Sequence, residues 1–558
     1  MTTVRFDLPE DGQHTSTTFV PQLPQWVLDR YGAKVLDPAE VTPPPGYDLP
    51  MPQPAIYRTG VLTLPLSMFS KGDLLGKVDA LLGTSTIRQP DPEEKEGRLP
   101  DPVVPEGLGG LTDEQRGMVP VPVPLNVRGE QPGKVDAAAA VQAIRLAERR
   151  SERARARKEK EYFTEEEQQQ TRLISLEYLF AGTDLQGVPT YSPHDIRDPN
   201  SGSAGLTYQL VPVVYHGPQP QRSQPKSGAR RPVVAMIDSG VAPHKWFGLD
   251  KVGAMPQGGF LRDFPQSTQA IQAQQAHLGT YVPTEILTNG YIDGPMYCDD
   301  VTEQIGPGYG HGTAIAGILH QLAPDADVLV IRALQASNVA THADLVLALW
   351  LLVARVRAAQ QPGGTMTDMV DIVTLSMGDY VADDKPAMLE EAIRALAGLG
   401  VLVVAAAGND STSRPFYPAA LCDEIKYPSW TGPRVIGVGA TNPNGSTAWF
   451  ANGGRNATCQ ASGAFVVTTF PRIDGPLGPS RVTKTRQGVD LDTAPSSFAA
   501  VCGTSMAAPH IAGLIARKLW DNNSSYSLAD IGVKATMDRI EQAVCAVKKD
   551  VHDEPDGL

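Results

Sequence analysis

The chain has 558 residues, of which 41% are hydrophobic and 20% are charged, a composition typical of globular proteins rather than of disordered or fibrous ones. Its formal net charge of −14 argues against a general binder of nucleic acid or of anionic membranes. A chain of this length is expected to form two or more domains.

The first two hundred residues carry weaker structural signals than the rest. Proline-rich pieces at 37–54 and 89–105 are typical of irregular connectors. Around them, apolar patterns predict secondary structure in the order strand 56–66, helix 69–82, strand 118–126, long helix from about 134 to 170, strand 206–215. We therefore expect an α+β region over 1–216, followed by a polar linker at 217–231 of the exposed kind that proteases cut.

A run of charged residues lies within the predicted long helix. From Arg145 to Lys160 there are eight basic residues against three acidic ones. The interleaved glutamates favour a solvated helix face, with a partner-docking or cleavage segment as the alternative. Nucleic-acid binding is disfavoured because no recognition motif accompanies the run.

From residue 232 onward, apolar runs and helical patterns alternate. The predicted strands are 232–238, 327–333, 370–376, 401–407 and 434–440. The predicted helices are 311–321, 342–360, 386–398 and 504–520, with a closing helix within 528–548. This alternation predicts an α/β domain over 232–550, with a mostly parallel sheet covered by helices on both faces. The last residues, 551–558, are expected to form a tail.

The beginning of the chain and its cysteines bear on its location. Residues 1–12 lack the apolar core of a secretory signal, and we find no uninterrupted apolar stretch long enough to span a bilayer. The five cysteines lack metal-ligand spacing, and as reduced thiols they fit a cytoplasmic enzyme: Cys298, Cys422, Cys459, Cys502 and Cys545. Cys502 is expected to be a small buried residue, with redox control as the alternative.

A serine stands where a loop enters an apolar helix, in Gly503-Thr504-Ser505. Small neighbours leave room for a substrate carbonyl, and a helix N-terminus favours developing negative charge. Read alone, this segment is a common helix start, with Thr504 as its cap. A nucleophilic serine also needs a base and a group that orients the base.

Candidates for both partners occur upstream. Asp238 ends the apolar run that begins at 232, at the carboxyl edge of a predicted parallel strand, where open α/β sheets carry their sites. His311 is flanked by glycines and opens an apolar helix. The chain has ten histidines, so this context, rather than the residue type, singles out His311.

The order Asp238, His311, Ser505 and the local sequence around each resemble the subtilisin-like serine proteases, the subtilase family, over about 232–550. A related carboxylate-based family shares the Gly-Thr-Ser motif but lacks a His-Gly-Thr segment, so His311-Gly312-Thr313 favours the subtilases. The resemblance implies a subtilisin-like fold and a serine endopeptidase, and an intracellular bacterial member with a long N-terminal extension is the version expected here. It implies no cofactor, and a structural calcium ion stays open without a ligand set that can be transferred.

The same resemblance assigns residues around the reacting atoms. Asn409, after the apolar run 401–407, matches the family's side-chain donor to the oxyanion, with the Ser505 backbone N–H as second donor. The segment Ser376-Met377-Gly378 resembles the strand that pairs with an extended polypeptide substrate. Phe416 falls at the floor of the primary specificity pocket, where a small residue is usual. We expect a preference for small or medium residues before the scissile bond, with simple core packing of Phe416 as the alternative.

Two functional classes follow. The favoured one is a serine endopeptidase restrained by its N-terminal region, which would either occupy the cleft or recruit a regulatory protein partner. The order of elements in that region weakly resembles the small split βαβ propeptides that chaperone and inhibit subtilases. The alternative is a catalytically silent subtilase-fold scaffold for protein binding, against which the presence of all four chemical positions counts.

Overall fold

The structure is a computed structural model. It describes residues 4–6, 19–44, 46–47, 49–70, 72–91, 93–94, 97–128, 135–182, 186–190, 207–209, 211–215, 217–225, 230–249, 255, 258–287, 308–335, 337–383, 385–423, 434–472, 497–522 and 528–553. Cys298 lies outside the described residues. Every structural statement below concerns the described part of the chain.

The α-helices there are α1 (Gln25–Tyr31), α2 (Gly72–Leu81), α3 (Asp113–Gly117), α4 (Ala137–Ala156), α5 (Glu165–Thr171), α6 (Pro265–Gly279), α7 (His311–Leu322), α8 (His342–Gln360), α9 (Ala387–Gly398), α10 (Thr504–Asp521) and α11 (Val533–Asp553). None of them is both long enough and apolar enough to cross a membrane.

The strands are β1 (Val4–Arg5), β2 (Ala33–Val35), β3 (Ile56–Pro65), β4 (Ser85–Thr86), β5 (Pro120–Pro124), β6 (Asn126–Val127), β7 (Ser175–Gly182), β8 (Gln186–Thr190), β9 (Thr207–Gln209), β10 (Val211–Pro212), β11 (Val233–Asp238), β12 (Leu261–Asp263), β13 (Asp327–Arg332), β14 (Val339–Thr341), β15 (Ile372–Leu375), β16 (Met377–Gly378), β17 (Leu402–Ala406), β18 (Val435–Thr441), β19 (Cys459–Ser462), β20 (Val466–Thr469) and β21 (Phe498–Cys502).

The central sheet has eight strands in the order β1-β19-β18-β17-β15-β11-β13-β12. All neighbouring pairs are parallel except the edge pair of β1 with β19. Strands β11, β15, β17 and β18 are buried along their whole length, because their apolar runs face helices rather than solvent. The predicted α/β class with a mostly parallel sheet is confirmed, and the five predicted strands start and end within two residues of the observed bounds.

Two groups of helices pack on this sheet. One group contains α7, α10 and α11, and the other contains α6, α8 and α9. Small residues let α7 and α10 approach closely, since a Cβ added to Gly513 would lie 2.9 Å from Leu322 Cβ. The last helix, α11, extends to Asp553, so the expected tail starts later than 551.

The N-terminal region is an α+β unit, as expected, but two of its elements differ from the prediction. The expected helix over about 134–170 is wrong, because the chain leaves helix after α4, where Lys158 adopts φ 59°. Thr164 then starts α5 through a reciprocal capping box with Glu167. The expected strand 206–215 is seen as two short strands, β9 and β10.

Strand β7 was not predicted, and it joins the two parts of the molecule. It pairs with β3 of the N-terminal region and with β14 and β16 of the catalytic region, antiparallel in every case. The N-terminal sheet is therefore continued by β14 and β16, which begin more than 150 residues after the end of β7.

Basic side chains of the charged helix α4 are paired with groups of the same chain. The guanidinium of Arg145 contacts Glu148 at 3.2 Å and donates to the carbonyl of Ile174 at 2.6 Å. The guanidinium of Arg153 lies 4.5 Å from the ring centroid of Tyr47. These internal contacts favour the solvated-face interpretation of the run over a free docking surface.

The linker is tied to the catalytic region at both ends. Arg222 contacts Asp327 at 2.5 Å, and Arg230 makes a buried bidentate pair with Asp371, with both N–O distances at 2.6 Å. Most of 217–225 is nevertheless exposed. The described parts of the linker, 217–225 and 230–231, are thus anchored to the catalytic region by ion pairs.

A pair of glycine substitutions tests the helix packing. A Cβ at Gly317 of α7 would collide with the hydroxyls of Thr468 and Thr469 on β20, whereas a Cβ at Gly76 of α2 meets nothing within 4 Å. We predict that Gly317→Ala lowers the free energy of unfolding by about 1–3 kcal/mol. The control Gly76→Ala should raise it by up to about 1 kcal/mol. Chemical denaturation of both variants measures this, and equal effects would contradict the packing.

Candidate active site

A carboxylate and a histidine meet at the carboxyl end of β11. Asp238 is fully buried, and its Oδ1 accepts from the backbone N–H of Ser239 at 2.8 Å. The Nδ1 of His311, the first residue of α7, lies 2.7 Å from the same Oδ1. A carboxylate can only accept, so this contact fixes the His311 tautomer that carries its proton on Nδ1.

The glycines around His311 are required by close approach. Gly310 adopts φ 81°, a conformation that favours glycine, just before α7 begins. A Cβ at Gly312 would lie 3.0 Å from the carbonyl carbon of Gly240 and closer still to its oxygen. The backbone N–H of Gly312 also donates to Ser239 Oγ at 3.0 Å. The start of α7 is therefore pressed against the turn that follows Asp238.

Ser505 lies in the first turn of α10 and is fully buried. Its backbone carbonyl accepts from the hydroxyl of Ser376 at 3.0 Å, which ties the helix start to the end of β15. Gly503 is the N-cap residue, with φ 145° and no side-chain bond. The expected capping role of Thr504 is therefore wrong, because Thr504 is already the first helical residue.

Thr504 instead holds the loop that carries Asn409. The Oδ1 of Asn409 accepts from both the backbone N–H and the hydroxyl of Thr504, each at 2.9 Å. The hydroxyl of Thr504 in turn accepts from the backbone N–H of Gly408 at 3.1 Å. With the oxygen end held, the donor end of the Asn409 amide, Nδ2, faces away from Thr504. Sequence reasoning missed this role, although the threonine beside the serine was its signal.

The segment predicted to pair with substrate forms a short strand that is paired within the chain. Met377 and Gly378 form β16, which lies opposite Gly182 and Ala181 of β7. On the far side of β7, the backbone N–H of Gly182 donates to the carbonyl of Asn338 at 2.8 Å. An extended segment of the N-terminal region is thus paired with β16, and the substrate-binding role of Ser376, Met377 and Gly378 stays a prediction.

Phe416 is buried beside this strand. A Cβ on Gly378 would lie 2.6 Å from Cζ of the Phe416 ring, and the ring of Tyr380 packs edge-on against it with centroids 5.1 Å apart. The ring is only 4% exposed, which agrees with the core-packing alternative. The narrowed pocket stays a prediction.

Burial shifts the pKa values of three further histidines and of one cysteine in the catalytic region. Burial lowers the pKa of His244, His320 and His342 to about 4, so these histidines are neutral near pH 7. Burial also raises the pKa of the Cys502 thiol, whose Sγ accepts from the backbone N–H of Phe465 at 3.2 Å. A buried thiol with a raised pKa is a poor thiolate source, which favours the structural role of Cys502.

Within the described ranges, no cluster of three or more histidine, cysteine, aspartate or glutamate side chains could hold a metal ion. The calcium question left open by the sequence therefore gains no ligand set from these residues.

Comparison with known proteins identifies the family. The model of the subtilase family, peptidase family S8, matches residues 229–544, more than half of the chain. Thermitase of Thermoactinomyces vulgaris is 27% identical over 299 residues, covering 50% of this chain and 88% of thermitase. M-protease of Shouchella clausii is 28% identical over 233 residues, covering 40% and 48% of the two chains. The major intracellular serine protease of Bacillus subtilis is 26% identical over 242 residues, covering 41% and 62%.

The chain belongs to the subtilase family. It is a subtilisin-like serine endopeptidase, and residues 1–228 lie outside the matched segment. The aligned part spans less than two thirds of M-protease and of the Bacillus subtilis protein.

The bond network at Thr504 gives a direct test. We predict that Thr504→Val lowers kcat by about fivefold, because it removes one hydrogen bond to Asn409, of about 1 kcal/mol, while the shape of the side chain is kept. Thr504→Ser retains the hydroxyl and should stay within about twofold of the parent. Steady-state kinetics on a peptide substrate measures both, and an equal loss in the two variants would contradict the positioning role.

Proposed function

We propose that this protein hydrolyses peptide bonds through Asp238, His311 and Ser505, with Asn409 as the side-chain donor to the oxyanion. The observation that carries the proposal is the buried 2.7 Å contact between Asp238 and His311 in a chain of the subtilase family. The position of Asn409, held by the residue before Ser505, supports the same assignment.

In the proposed chemistry, the same four residues act in the formation and in the hydrolysis of the acyl-enzyme. As Ser505 Oγ attacks the substrate carbonyl carbon, His311 Nε2 takes the hydroxyl proton, and Asp238 stabilises the imidazolium. The new oxyanion accepts from Asn409 Nδ2 and from the Ser505 backbone N–H. The C–N bond then breaks as His311 delivers its proton to the leaving amine. Water repeats the sequence on the acyl-enzyme, releases the acid and restores the Ser505 hydroxyl.

Two measurements test this mechanism. A fluorophosphonate probe should label the parent protein and fail to label Ser505→Ala, because the probe reacts with an activated serine. Asn409→Ala should lower kcat by about 10²–10³-fold with KM little changed, since its donor acts on the transition state.

The control for Asn409→Ala is Asn444→Ala, in an exposed turn, which should leave kcat unchanged. A folded protein that resists the probe both intact and after removal of its N-terminal region would favour the silent-scaffold alternative.

We further propose that the N-terminal region restrains the enzyme by occupying its cleft. Strand β7 runs antiparallel between β14 and β16, with Phe180 opposite Ala340 and Ala181 opposite Gly378. The Phe180 ring stacks on His342 with centroids 5.8 Å apart. Pairing on both edges is the β-augmentation mode by which extended peptides bind, so β7 competes directly with substrate.

A side chain of β7 also bonds the start of α8. Glu177 of β7 accepts from the backbone N–H of Ala343 at 3.1 Å and from the hydroxyl of Thr63. A carboxylate at a helix N-terminus interacts favourably with the helix dipole. Burial raises the pKa of Glu177 to about 7, so seating β7 carries a desolvation cost that these bonds offset.

The chain also pairs on the other side of the reactive serine. Gln186 and Gly187 of β8 lie opposite Cys502 and Val501 of β21, directly before the segment that carries Ser505. Gly182 is thus paired beside β16, and Gln186 is paired three residues before Ser505. These two pairings support occupation of the cleft by the N-terminal region as the means of restraint.

Self-cleavage and release test the restraint. Mass spectrometry should find a cut between Gly182 and Gln186 in the parent and an intact chain in Ser505→Ala. Phe180→Ala should raise the initial rate on peptide substrates by about tenfold, because loss of the buried ring weakens the β7 contact. Phe69→Ala, in the N-terminal region but outside β7, is the matched control and should not raise it. Restraint is wrong if Phe180→Ala leaves the initial rate per labelled serine unchanged.

We also propose a cellular location for the protein. A cytoplasmic location is favoured by the reduced cysteines and by the similarity to the major intracellular serine protease of Bacillus subtilis. Fractionation of cells that produce the protein tests it, and accumulation outside the cytoplasm would overturn it. A regulatory protein partner at the N-terminal region stays a prediction.

A further inference from the structure

Asn452 bonds the chain on both sides of Asn409. Its backbone N–H donates to the carbonyl of Gly408 at 3.0 Å, and its side-chain Oδ1 accepts from the backbone N–H of Asp410 at 2.9 Å. The same oxygen accepts from the backbone N–H of Thr412 at 3.2 Å. Because Asn409 stands between Gly408 and Asp410, these bonds determine where its backbone lies.

The contact between Asn452 and this loop is close and buried. Gly408 adopts φ 101°, and a Cβ added there would lie 3.1 Å from Cγ of Asn452 and closer still to its Nδ2. Asn452 itself is only 2% exposed. Hydrogen bonds enclosed in this way are not readily replaced by bonds to water, so the loss of a partner is costly.

Tyr380 fixes the orientation of the Asn452 amide. The Nδ2 of Asn452 donates to the hydroxyl of Tyr380 at 2.8 Å, and this hydroxyl donates to Asp410 Oδ2 at 2.7 Å. With its nitrogen directed to Tyr380, the amide presents its oxygen to the backbone of Asp410. Asp410, Asn452 and Tyr380 thus form a closed ring of three hydrogen bonds, which we call the loop clamp.

Tyr380 is held in place as a hydrogen-bond donor. Burial, and then the nearby Asp410 carboxylate, raise the pKa of its hydroxyl well above the ordinary value, so the proton stays on the tyrosine. The ring is 2% exposed, and its centroid lies 5.1 Å from that of Phe416 and 4.8 Å from that of Phe19. The guanidinium of Arg414 lies 5.0 Å from the same centroid. These contacts with the ring hold its hydroxyl at the loop.

The loop clamp completes the support of Asn409 that Thr504 provides at the side chain. Thr504 bonds the side-chain oxygen of Asn409, while the clamp holds the backbone on either side. The inference rests on the proposed function, in which Asn409 Nδ2 donates to the oxyanion. Such a donor is effective only if it already stands where the charge develops, so a displaced donor loses much of its effect.

We propose that Asn452 and Tyr380 are positioning residues for the oxyanion donor and act through Asn409. Asn452 holds Gly408 and Asp410, and Tyr380 keeps the Asn452 amide in the orientation that this requires. The loop clamp therefore contributes to the chemical step rather than to the binding of the polypeptide.

Steady-state kinetics of the full chain test the proposal, with rates expressed per reactive serine after titration with a fluorophosphonate probe. Tyr380→Phe keeps the ring and removes the hydroxyl, so it should lower kcat by about fivefold and leave KM within about twofold. Asn452→Ala removes all three side-chain bonds and should lower kcat by about tenfold or more. The loss falls on kcat because the donor acts in the transition state.

Tyr57→Phe is the matched control. Tyr57 is fully buried, and its hydroxyl donates to a carboxylate, that of Asp136, at 2.9 Å within the N-terminal region. The substitution therefore removes a bond of the same kind away from the loop clamp. It should leave kcat and KM unchanged, which separates positioning from a general loss of stability.

A double-mutant cycle shows whether Tyr380 acts through Asn409. In Asn409→Ala the donor is gone, so the further change Tyr380→Phe should lower kcat by less than about 1.5-fold. The same non-additivity is expected for Asn452→Ala. A structural role independent of Asn409 would instead lower kcat by the same factor in both backgrounds.

The outcomes distinguish the inference from the function on which it rests. If Asn409→Ala loses rate while Tyr380→Phe matches the parent, the inference is overturned and the endopeptidase function stands. Additive losses in the cycle also overturn it. If Asn409→Ala keeps the full rate, the oxyanion assignment is wrong and the inference falls with it. Should Asn452→Ala fail to fold, Tyr380→Phe decides alone by the same criteria.

Discussion

The parallel register of three central strands is the constraint on which the site depends. Ile237 of β11 lies opposite Leu375 of β15, and Leu375 lies opposite Ala405 of β17. The residues that follow each strand therefore leave the sheet at one edge and at one level. Backbone pairing therefore brings Asp238, Ser376 and the loop to Asn409 to the same edge of the sheet.

Side-chain contacts then refine what the register places. The hydroxyl of Ser376 bonds the carbonyl of Ser505, and Thr504 bonds Asn409, so the start of α10 is fixed by two neighbouring strands. The Ser376 bond is buried and the Thr504 bond is partly buried, where an unmade partner is costly, so the two bonds hold Ser505 and Asn409 at a constant spacing. Bonds that complete the fold thereby also orient the two residues to which the proposed function assigns the nucleophile and the oxyanion donor.

The sequence was sufficient to predict five of the eight strands of the central sheet, β11, β13, β15, β17 and β18, and the residues in its motifs, for a physical reason. Buried parallel strands are continuous apolar runs, and helices such as α8 and α10 start at recognisable turns, so local pattern and final structure agree. The positions of Asp238, His311, Ser505 and Asn409 could be predicted because each stands directly after or at such an element. Their contacts could be stated only as expectations until Asp238 and His311 were seen to meet.

The features that could not be predicted from the sequence depend mostly on pairing between residues far apart in the chain. Strand β7 is buried by neighbours on both edges that lie far away in the chain, and β14 and β16 are too short to produce a pattern of their own. The break between α4 and α5 depends on one residue with positive φ and a capping box inside a polar run. Tyr380 has no local signal at all, because its role comes from Phe416, Asp410 and Asn452.

The N-terminal region contacts the catalytic region at several separate places. Strand β1 extends the central sheet at β19, Phe19 covers Tyr380, and Arg58 donates to the carbonyl of Pro283 at 2.6 Å, in addition to the pairing of β7. Contacts made simultaneously by one folded unit reinforce one another, since each holds the others at high effective concentration. A cut beside Ser505 would end the covalent connection and leave these contacts in place. If the region restrains the enzyme as proposed, activity would then depend on release of the whole region, and release would also uncover the face of Tyr380 that Phe19 contacts.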